Sequence, residues 1–336
     1  MNTDRYARQV SFRGIGRPGQ EKLLSSRVAV VGLGALGSVI ANALARAGVG
    51  YLRLIDRDYC EITNLQRQIL YTEEDVRQQQ PKAVAAVEHL RAVNSEIKLE
   101  PVVADFNSGN AERLLAGLDL VVDGSDNFEV RYILNEACHK LGLPWVYGGA
   151  TGSAGASLNI LPGGPCFRCL APAAPPAGSY PTCSTVGALN AVTGAVANYE
   201  AGEALKILIQ AEPCRDYMTL DLWTNRVHFV KISKNPSCPV CARGEYEYLG
   251  RESGAYSTTL CGQDAIQIVP AGQADCDLAA LAERLRPLGE VKQSRFLLSF
   301  ASAAARFKLF PDGRALIEGV TDENAAKSVY SEYIGM

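Results

Sequence analysis

Short apolar runs alternate with stretches of helical periodicity along the first half of the chain. Five runs predict β-strands, at residues 28–31, 51–55, 99–103, 118–122 and 145–148. Continuous apolar runs of this length are typical of strands buried on both faces of a parallel sheet. Helices are predicted between them at 35–47, 81–93, 110–116 and 128–141. With right-handed crossovers, this order predicts a doubly wound, Rossmann-like α/β fold whose mostly parallel sheet carries its site at the carboxyl ends of the strands.

The second half of the chain has a different pattern. A long apolar helix is predicted at 188–209, followed by two strands joined by a turn at Thr224-Asn225. A polar stretch at 243–254 is typical of a linker. Beyond it, four strands (265–269, 296–300, 306–310, 315–318) and two helices (277–285, 323–333) predict a separate small α+β module. We therefore expect a domain over residues 1–245 and an accessory domain over 246–336.

Composition excludes several classes of protein. Among 336 residues, 47% are hydrophobic and 21% charged, with a net charge of −3 and a pI near 5.8, which gives no electrostatic case for nucleic acid. The N-terminus is polar, and no uninterrupted apolar run reaches about 18 residues, so we expect no signal peptide and no membrane partner. The predicted location is the cytoplasm.

A glycine-rich turn follows the first predicted strand and opens the first helix. Gly32, Gly34 and Gly37 form the pattern GxGxxG, and Asp56 ends the second strand 19 residues later. Bare backbone amides at a helix N-terminus bind phosphates, and an acidic residue at this spacing holds ribose hydroxyls. This segment predicts a nucleotide site.

Polar and cationic residues surround that site more densely than a dehydrogenase requires. Asn64, Arg67 and Gln68 follow the second strand, and Lys82 comes after Pro81 in the first turn of a predicted helix. A cation in a first turn opposes the helix dipole unless an anion offsets it. The excess of positive charge indicates chemistry at a phosphate.

Four of the ten cysteines form two CxxC pairs, Cys166 with Cys169 and Cys238 with Cys241. Each pair lies beside chain-reversing Gly and Pro residues. Two such loops supply the four thiolates of a tetrahedral structural zinc site. A single CxxC would also suit a redox pair, but two together favour Zn²⁺, which would join segments about 70 residues apart.

The motifs resemble one family, the sulfur-carrier adenylyltransferases of the MoeB and ThiF type, which are related to ubiquitin-activating enzymes. The resemblance spans roughly residues 4–245. It includes RYARQ, GLGALG, LIDRDYCEITNLQRQ, PKA, DGSDN, both CxxC pairs and PTCSTVGALNAVTG, and the joint order and spacing of these motifs carry the resemblance. It implies ATP-dependent adenylation of the C-terminal glycine of a small ubiquitin-like sulfur carrier ending in Gly-Gly. A sulfur donor, such as a cysteine desulfurase or a rhodanese, is implied for the next step.

The resemblance also implies residue roles. Asp56 would bind the ribose, Asn64 and Arg67 the phosphates with support from Gln68, and Asp126 a magnesium ion. Lys82 would act on the phosphates. Arg8 would reach the phosphates of the second subunit of a homodimer, and Cys183 is a candidate for a covalent link to the carrier.

Other interpretations of the sequence stay open. A tRNA threonylcarbamoyladenosine dehydratase belongs to the same superfamily, although the charge balance and the CxxC pairs fit it less well. An NAD-dependent oxidoreductase would use the glycine turn and Asp56 alone. A non-catalytic scaffold for a ubiquitin-like partner would have no need of the full phosphate-binding set.

Overall fold

The computed structural model describes residues 4–174, 186–250, 256–259, 265–270, 276–294, 296–320 and 322–335. They form two compact units, the first of which runs to residue 250 and the second from residue 256. The first unit extends five residues beyond the expected boundary at 245. Its last turn is held to the helix Phe128–Leu141, because the Tyr248 and Leu249 N–H groups donate to Glu136 Oε2 at 2.7 and 2.9 Å.

The first unit contains an eight-stranded sheet of order β3-β2-β1-β4-β5-β6-β7-β8. Strands β1 to β5 are parallel, which confirms the doubly wound fold. Strands β6 to β8 extend the sheet in antiparallel pairing. The strands are Arg27–Val31, Tyr51–Asp56, Lys98–Val103, Leu120–Asp123, Trp145–Thr151, Ala154–Ile160, Asp216–Asp221 and Arg226–Lys231.

Strand β6 was not anticipated from the sequence. Its first four residues are small and only Leu158 and Ile160 are large and apolar, so it forms no apolar run, and it returns from β5 through a tight turn at Gly152, whose φ is +61°. The left-handed conformation at that position suits glycine, which has no Cβ.

Helices cover both faces of the parallel strands. On one face α3 (Ala35–Ala47), α5 (Lys82–Val93) and α9 (Asn190–Ile209) share a core, and on the other α6 (Ala111–Leu115), α7 (Phe128–Leu141) and α8 (Phe167–Leu170) do so. The other helices are α1 (Ala7–Ser11), α2 (Gly16–Ser25) and α4 (Glu73–Arg77). Of these, α1 and α2 precede the first strand and carry too few apolar positions to be predicted. None of the helices in the described part of the chain is both long and apolar enough to cross a bilayer.

The second unit is a six-stranded antiparallel sheet of order β11-β12-β13-β14-β10-β9 with two helices, which confirms the expected α+β module. Its strands are Tyr256–Thr259, Ala265–Val269, Glu290–Gln293, Leu298–Ala301, Arg306–Leu309 and Ala315–Glu318. Its helices are α10 (Leu278–Leu285) and α11 (Glu323–Tyr333), each capped by an aspartate side chain. Strands β9 and β11 were not predicted, because short strands with polar residues give little period-2 signal.

Candidate nucleotide site and four-cysteine cluster

The glycine turn lies where β1 separates β2 from β4, the point at which strand order reverses. A side chain at either Gly32 or Gly37 would clash with backbone. A Cβ at Gly37 would lie 1.8 Å from Gly32 O, and one at Gly32 would lie 2.7 Å from the Gly124 carbonyl carbon. Gly34 is the N-cap of α3 and supplies no side-chain cap, so the first amides of the helix remain donors for an anion. The turn has the close packing and the amides that a phosphate-binding loop requires.

Two side chains hold the turn from opposite sides. The Leu33 N–H donates to Asp56 Oδ2 at 2.6 Å, and Tyr71 Oη donates to Leu33 O at 2.7 Å. The second Asp56 oxygen accepts the Asp58 N–H at 2.7 Å. Burial raises the pKa of Asp56, while the Lys82 ammonium opposes that shift. Asp56 therefore fixes the shape of the turn in addition to offering oxygens beside it.

Lys82 lies in the first turn of α5 with an ammonium group that is almost fully buried. Its Nζ is 3.3 Å from Asp58 Oδ2, and its backbone N–H donates to Asp58 O at 2.8 Å. Burial by itself would lower the pKa of Lys82, but the carboxylates of Asp58, Asp56 and Asp126 raise it above its ordinary value. The lysine is held positively charged beside the glycine turn, and its anionic neighbours offset the unfavourable helix dipole.

Arg57 adds a second, half-buried cation. Its Nη1 is 2.8 Å from Asp105 Oδ1, and its Nε is 3.8 Å from Asp58 Oδ1. Burial opposes the charge of Arg57, but Asp105, Asp58 and Asp126 raise its pKa. Sequence reasoning missed Arg57, Asp58, Asp105 and Tyr71. The alternating charges of Asp56-Arg57-Asp58 were a usable signal, whereas nothing in the sequence marked Tyr71 or Asp105.

The segment after β2 holds the remaining polar candidates. Asn64 is buried, and its Oδ1 accepts the Glu61 N–H at 3.1 Å, closing the 3₁₀ helix Ile62–Asn64. Arg67 is half-buried, with Nη1 donating to Thr63 O at 3.0 Å. Gln68 is buried, with its Nε2 3.9 Å from the position of a Cβ at Gly34. Gln68 therefore lies against the turn, and Arg67 retains donors for a ligand.

Asp126 is exposed after the carboxyl end of β4. The N-cap of α7 is Asn127, whose Oδ1 accepts the Glu129 N–H at 2.8 Å, so Asp126 does not cap the helix. The charge of Asp126 contributes to the raised pKa of both Arg57 and Lys82. Its exposure and its neighbours fit a carboxylate that binds a hydrated divalent cation.

Asp123, three residues earlier at the end of β4, has a structural role. Asp123 is fully buried, and its Oδ1 accepts hydrogen bonds from the Ser125 N–H and Oγ at 2.9 and 2.6 Å. Its Oδ2 lies 3.2 Å from Arg131 Nε.

Arg8 lies on α1, which is fixed to the far end of α3. Gln9 Nε2 donates to Ala47 O at 2.8 Å, and Tyr6 is buried against Gly48. The 13 residues of α3 separate this anchor from Gly34 by about 20 Å at 1.5 Å per residue. Arg8 is exposed and is not brought to the glycine turn of its own chain.

Cys183 lies outside the described residues. The chain just beyond it is fixed beside the carboxyl end of β5: the Gly152 N–H donates to Gly187 O at 3.0 Å, and the Leu189 N–H donates to Gly152 O at 2.8 Å. Gly187 and Leu189 therefore lie at the carboxyl end of β5, the same end of the parallel strands as the glycine turn.

The four predicted metal ligands form a cluster. Cys166 Sγ lies 3.5 Å from Cys238 Sγ, Cys169 Sγ lies 3.5 Å from Cys241 Sγ, and all four sulfur atoms lie within 4.8 Å of one another. A tetrahedral Zn²⁺ with Zn–S bonds of about 2.3 Å requires sulfur atoms about 3.8 Å apart. The donor set and its spacing fit a structural zinc ion, which would join the segment after β6 to the segment after β8.

A doubly wound sheet with this turn at its switch point defines a nucleotide-binding α/β protein. The chain belongs to the ThiF family, whose model matches residues 6–240. It is 41% identical over 338 residues to the sulfur carrier protein ThiS adenylyltransferase of Bacillus subtilis, covering 99% of this chain and 100% of that protein. It is 41% identical over 243 residues to the SAMP-activating enzyme E1 of Haloferax volcanii, covering 72% and 89%.

Among solved structures, Escherichia coli MccB with ATP has a TM-score of 0.64 at 23% identity, covering 71% of this chain and 75% of that one. That likeness concerns the fold.

Proposed function

We propose that this protein is an adenylyltransferase that activates a ubiquitin-like sulfur-carrier protein with ATP. The observation that carries the proposal is a pair of cations, Lys82 and Arg57, that interact with Asp58 and Asp126 next to Asp56, whose carboxylate accepts the Leu33 N–H of the glycine turn. A nicotinamide cofactor has no need of so many cations beyond its pyrophosphate. The names of the Bacillus and Haloferax relatives support the same reaction.

In the proposed reaction, a C-terminal glycine carboxylate of the carrier attacks the α-phosphorus of ATP. A bond forms between a carboxylate oxygen and that phosphorus, the bond to the oxygen bridging the α- and β-phosphorus atoms breaks, and pyrophosphate leaves. A carboxylate is a nucleophile at neutral pH, so the step requires no general base. Alignment and stabilisation of phosphate charge set the barrier.

The residues divide this work between binding and charge stabilisation. The amides following Gly34 and the carboxylate of Asp56 would hold the nucleotide, with Asn64 and Gln68 supporting its phosphates. Lys82, Arg57 and Arg67 would offset the negative charge that moves to the leaving pyrophosphate. Asp126 would hold Mg²⁺, which supplies further positive charge when bound. The cysteine cluster is structural, and its reduced thiolates fit a cytoplasmic location.

The carrier is proposed to be of the thiazole-pathway type. The Bacillus relative matches nearly the whole chain, including the second unit, whereas the Haloferax relative matches about 72% of it. A sulfur donor such as a cysteine desulfurase or a rhodanese would act on the acyl-adenylate afterwards, and Cys183 is a candidate for a covalent link at that stage.

ATP–pyrophosphate exchange tests the proposal directly. Exchange should depend on a carrier ending in Gly-Gly and on Mg²⁺. Arg67→Ala and Lys82→Ala should each lower it about a hundredfold, or roughly 3 kcal/mol, because each removes a cation acting mainly in the transition state. Tighter binding of NAD than of MgATP in calorimetric titration, or exchange that is independent of any carrier, would contradict the proposal.

A further inference from the structure

Two cations of the site share one carboxylate. Asp58 Oδ2 lies 3.3 Å from Lys82 Nζ, and Asp58 Oδ1 lies 3.8 Å from Arg57 Nε. Arg57 has a closer partner in Asp105, at 2.8 Å. The direct contact of Asp58 therefore matters most for Lys82, whose side chain is only 8% exposed and so has little water to stabilise its charge.

Backbone pairing places the two residues opposite each other independently of their side chains. The Lys82 N–H donates to Asp58 O at 2.8 Å, Tyr59 forms an antiparallel bridge with Pro81, and the Cys60 N–H donates to Gln80 O at 2.8 Å. Removing the charge of Asp58 would therefore leave the Lys82 backbone in place. The contact between the Asp58 carboxylate and Lys82 Nζ instead orients the ammonium group and stabilises its positive charge.

The other acidic groups near Lys82 are less able to do this. Asp56 accepts two backbone N–H groups, from Leu33 and Asp58, and Asp126 is exposed on the segment after β4. Burial raises the pKa of Cys60 to about 12, so its thiol stays neutral beside the lysine. Among the three carboxylates, Asp58 makes the strongest contribution to the charge of Lys82.

We propose that Asp58 is a positioning residue: it holds Lys82 charged and directed at the triphosphate path, without contacting the substrate itself. This inference rests on the adenylation function proposed above. It predicts that loss of the Asp58 charge lowers the rate of the chemical step more than it weakens ATP binding, because a nearby carboxylate repels the phosphates of the ground state while it aligns the lysine.

The test compares Asp58→Asn, Asp58→Glu and the control Glu112→Gln. Glu112 is exposed and paired with Lys140 at 2.7 Å, so the control also removes one negative charge and breaks one ion pair. Asp58→Asn should lower kcat for pyrophosphate exchange about tenfold or more with little change in the KM for ATP. Asp58→Glu should recover part of the loss, and Glu112→Gln should match the unchanged protein.

The pH profile separates positioning from a general loss of structure. Without Asp58, burial lowers the pKa of Lys82 with less opposition, so the ammonium deprotonates at a lower pH. Exchange by Asp58→Asn should therefore decline at a lower pH than exchange by the unchanged protein. Reductive methylation at Lys82, followed by peptide mass spectrometry, should likewise become faster at a lower pH and gives a readout independent of activity.

The outcomes distinguish the two proposals. Absence of carrier-dependent exchange in the unchanged protein would overturn the adenylation function and this inference with it. Normal exchange in the unchanged protein, with the same rate and pH profile for Asp58→Asn and Glu112→Gln, would overturn only the role of Asp58.

Discussion

Asp56 Oδ2 accepts the Leu33 N–H at 2.6 Å and so joins the end of β2 to the glycine turn that follows β1. Tyr71 Oη donates a hydrogen bond to the Leu33 carbonyl at 2.7 Å. Both the backbone N–H and the backbone C=O of Leu33 are therefore bound by side chains. The amides of the turn are thereby oriented before a nucleotide binds. This preorganisation leads to predictions about the turn and about the elements that surround it.

Gly37→Ala should abolish nucleotide binding, because its Cβ would lie 1.8 Å from Gly32 O and displace the turn. Gly194→Ala is the matched control. Gly194 lies within α9, nothing stands within 4 Å of a Cβ there, and alanine should stabilise the helix by about 0.5–1 kcal/mol. Titration with MgATP and thermal unfolding measure both effects. Normal ATP affinity in Gly37→Ala would show that the turn tolerates displacement.

Zinc analysis should find one ion per chain, bound by Cys166, Cys169, Cys238 and Cys241. Cys238→Ser should lose the ion and lower Tm, because structural zinc contributes directly to folding. Cys214→Ser is the control, since Cys214 lies outside the cluster. An unchanged metal content and Tm in Cys238→Ser would contradict the assignment.

Mixing Arg8→Ala and Lys82→Ala chains should restore activity if Arg8 completes the site of a second subunit. The anchor of α1 at Ala47, about 20 Å from Gly34, motivates this expectation. In a mixed dimer with two-fold symmetry, one site carries both defects and the other carries neither, so up to about half of the activity should return. If mass spectrometry demonstrates subunit exchange and activity stays at the level of the separate mutants, the shared-site arrangement is wrong.

Glu200→Gln should become increasingly stabilising, relative to the unchanged protein, as the pH rises. Glu200 is fully buried in α9, and burial raises its pKa well above the ordinary value. The folded protein keeps this proton while the unfolded chain loses it above about pH 4.3, so its contribution to stability falls as the pH rises. Urea unfolding of both proteins from pH 4.5 to 8 measures the difference, and a constant difference would contradict a raised pKa.

The sequence by itself determined the periodic elements of the first unit. Strands β1 and β4 are largely apolar runs because both of their faces are covered, and α3 and α7 begin and end at the predicted residues. The glycine turn and the CxxC pairs could also be recognised from the sequence. Only glycine fits where two backbone segments approach closely, and few residues other than cysteine bind structural zinc. These features depend on local sequence.

Tertiary structure decided what depends on distant partners. The pairing of Asp58 with Lys82 joins residues 24 apart, and Tyr71 reaches Leu33 across 38 residues. Burial opposes the charge of Lys82 and three surrounding carboxylates maintain it, a balance that no local pattern reveals. The separation of Arg8 from its own glycine turn likewise depends on where α1 packs against α3. Such contacts are set by which elements pack together, and therefore only the folded chain defines them.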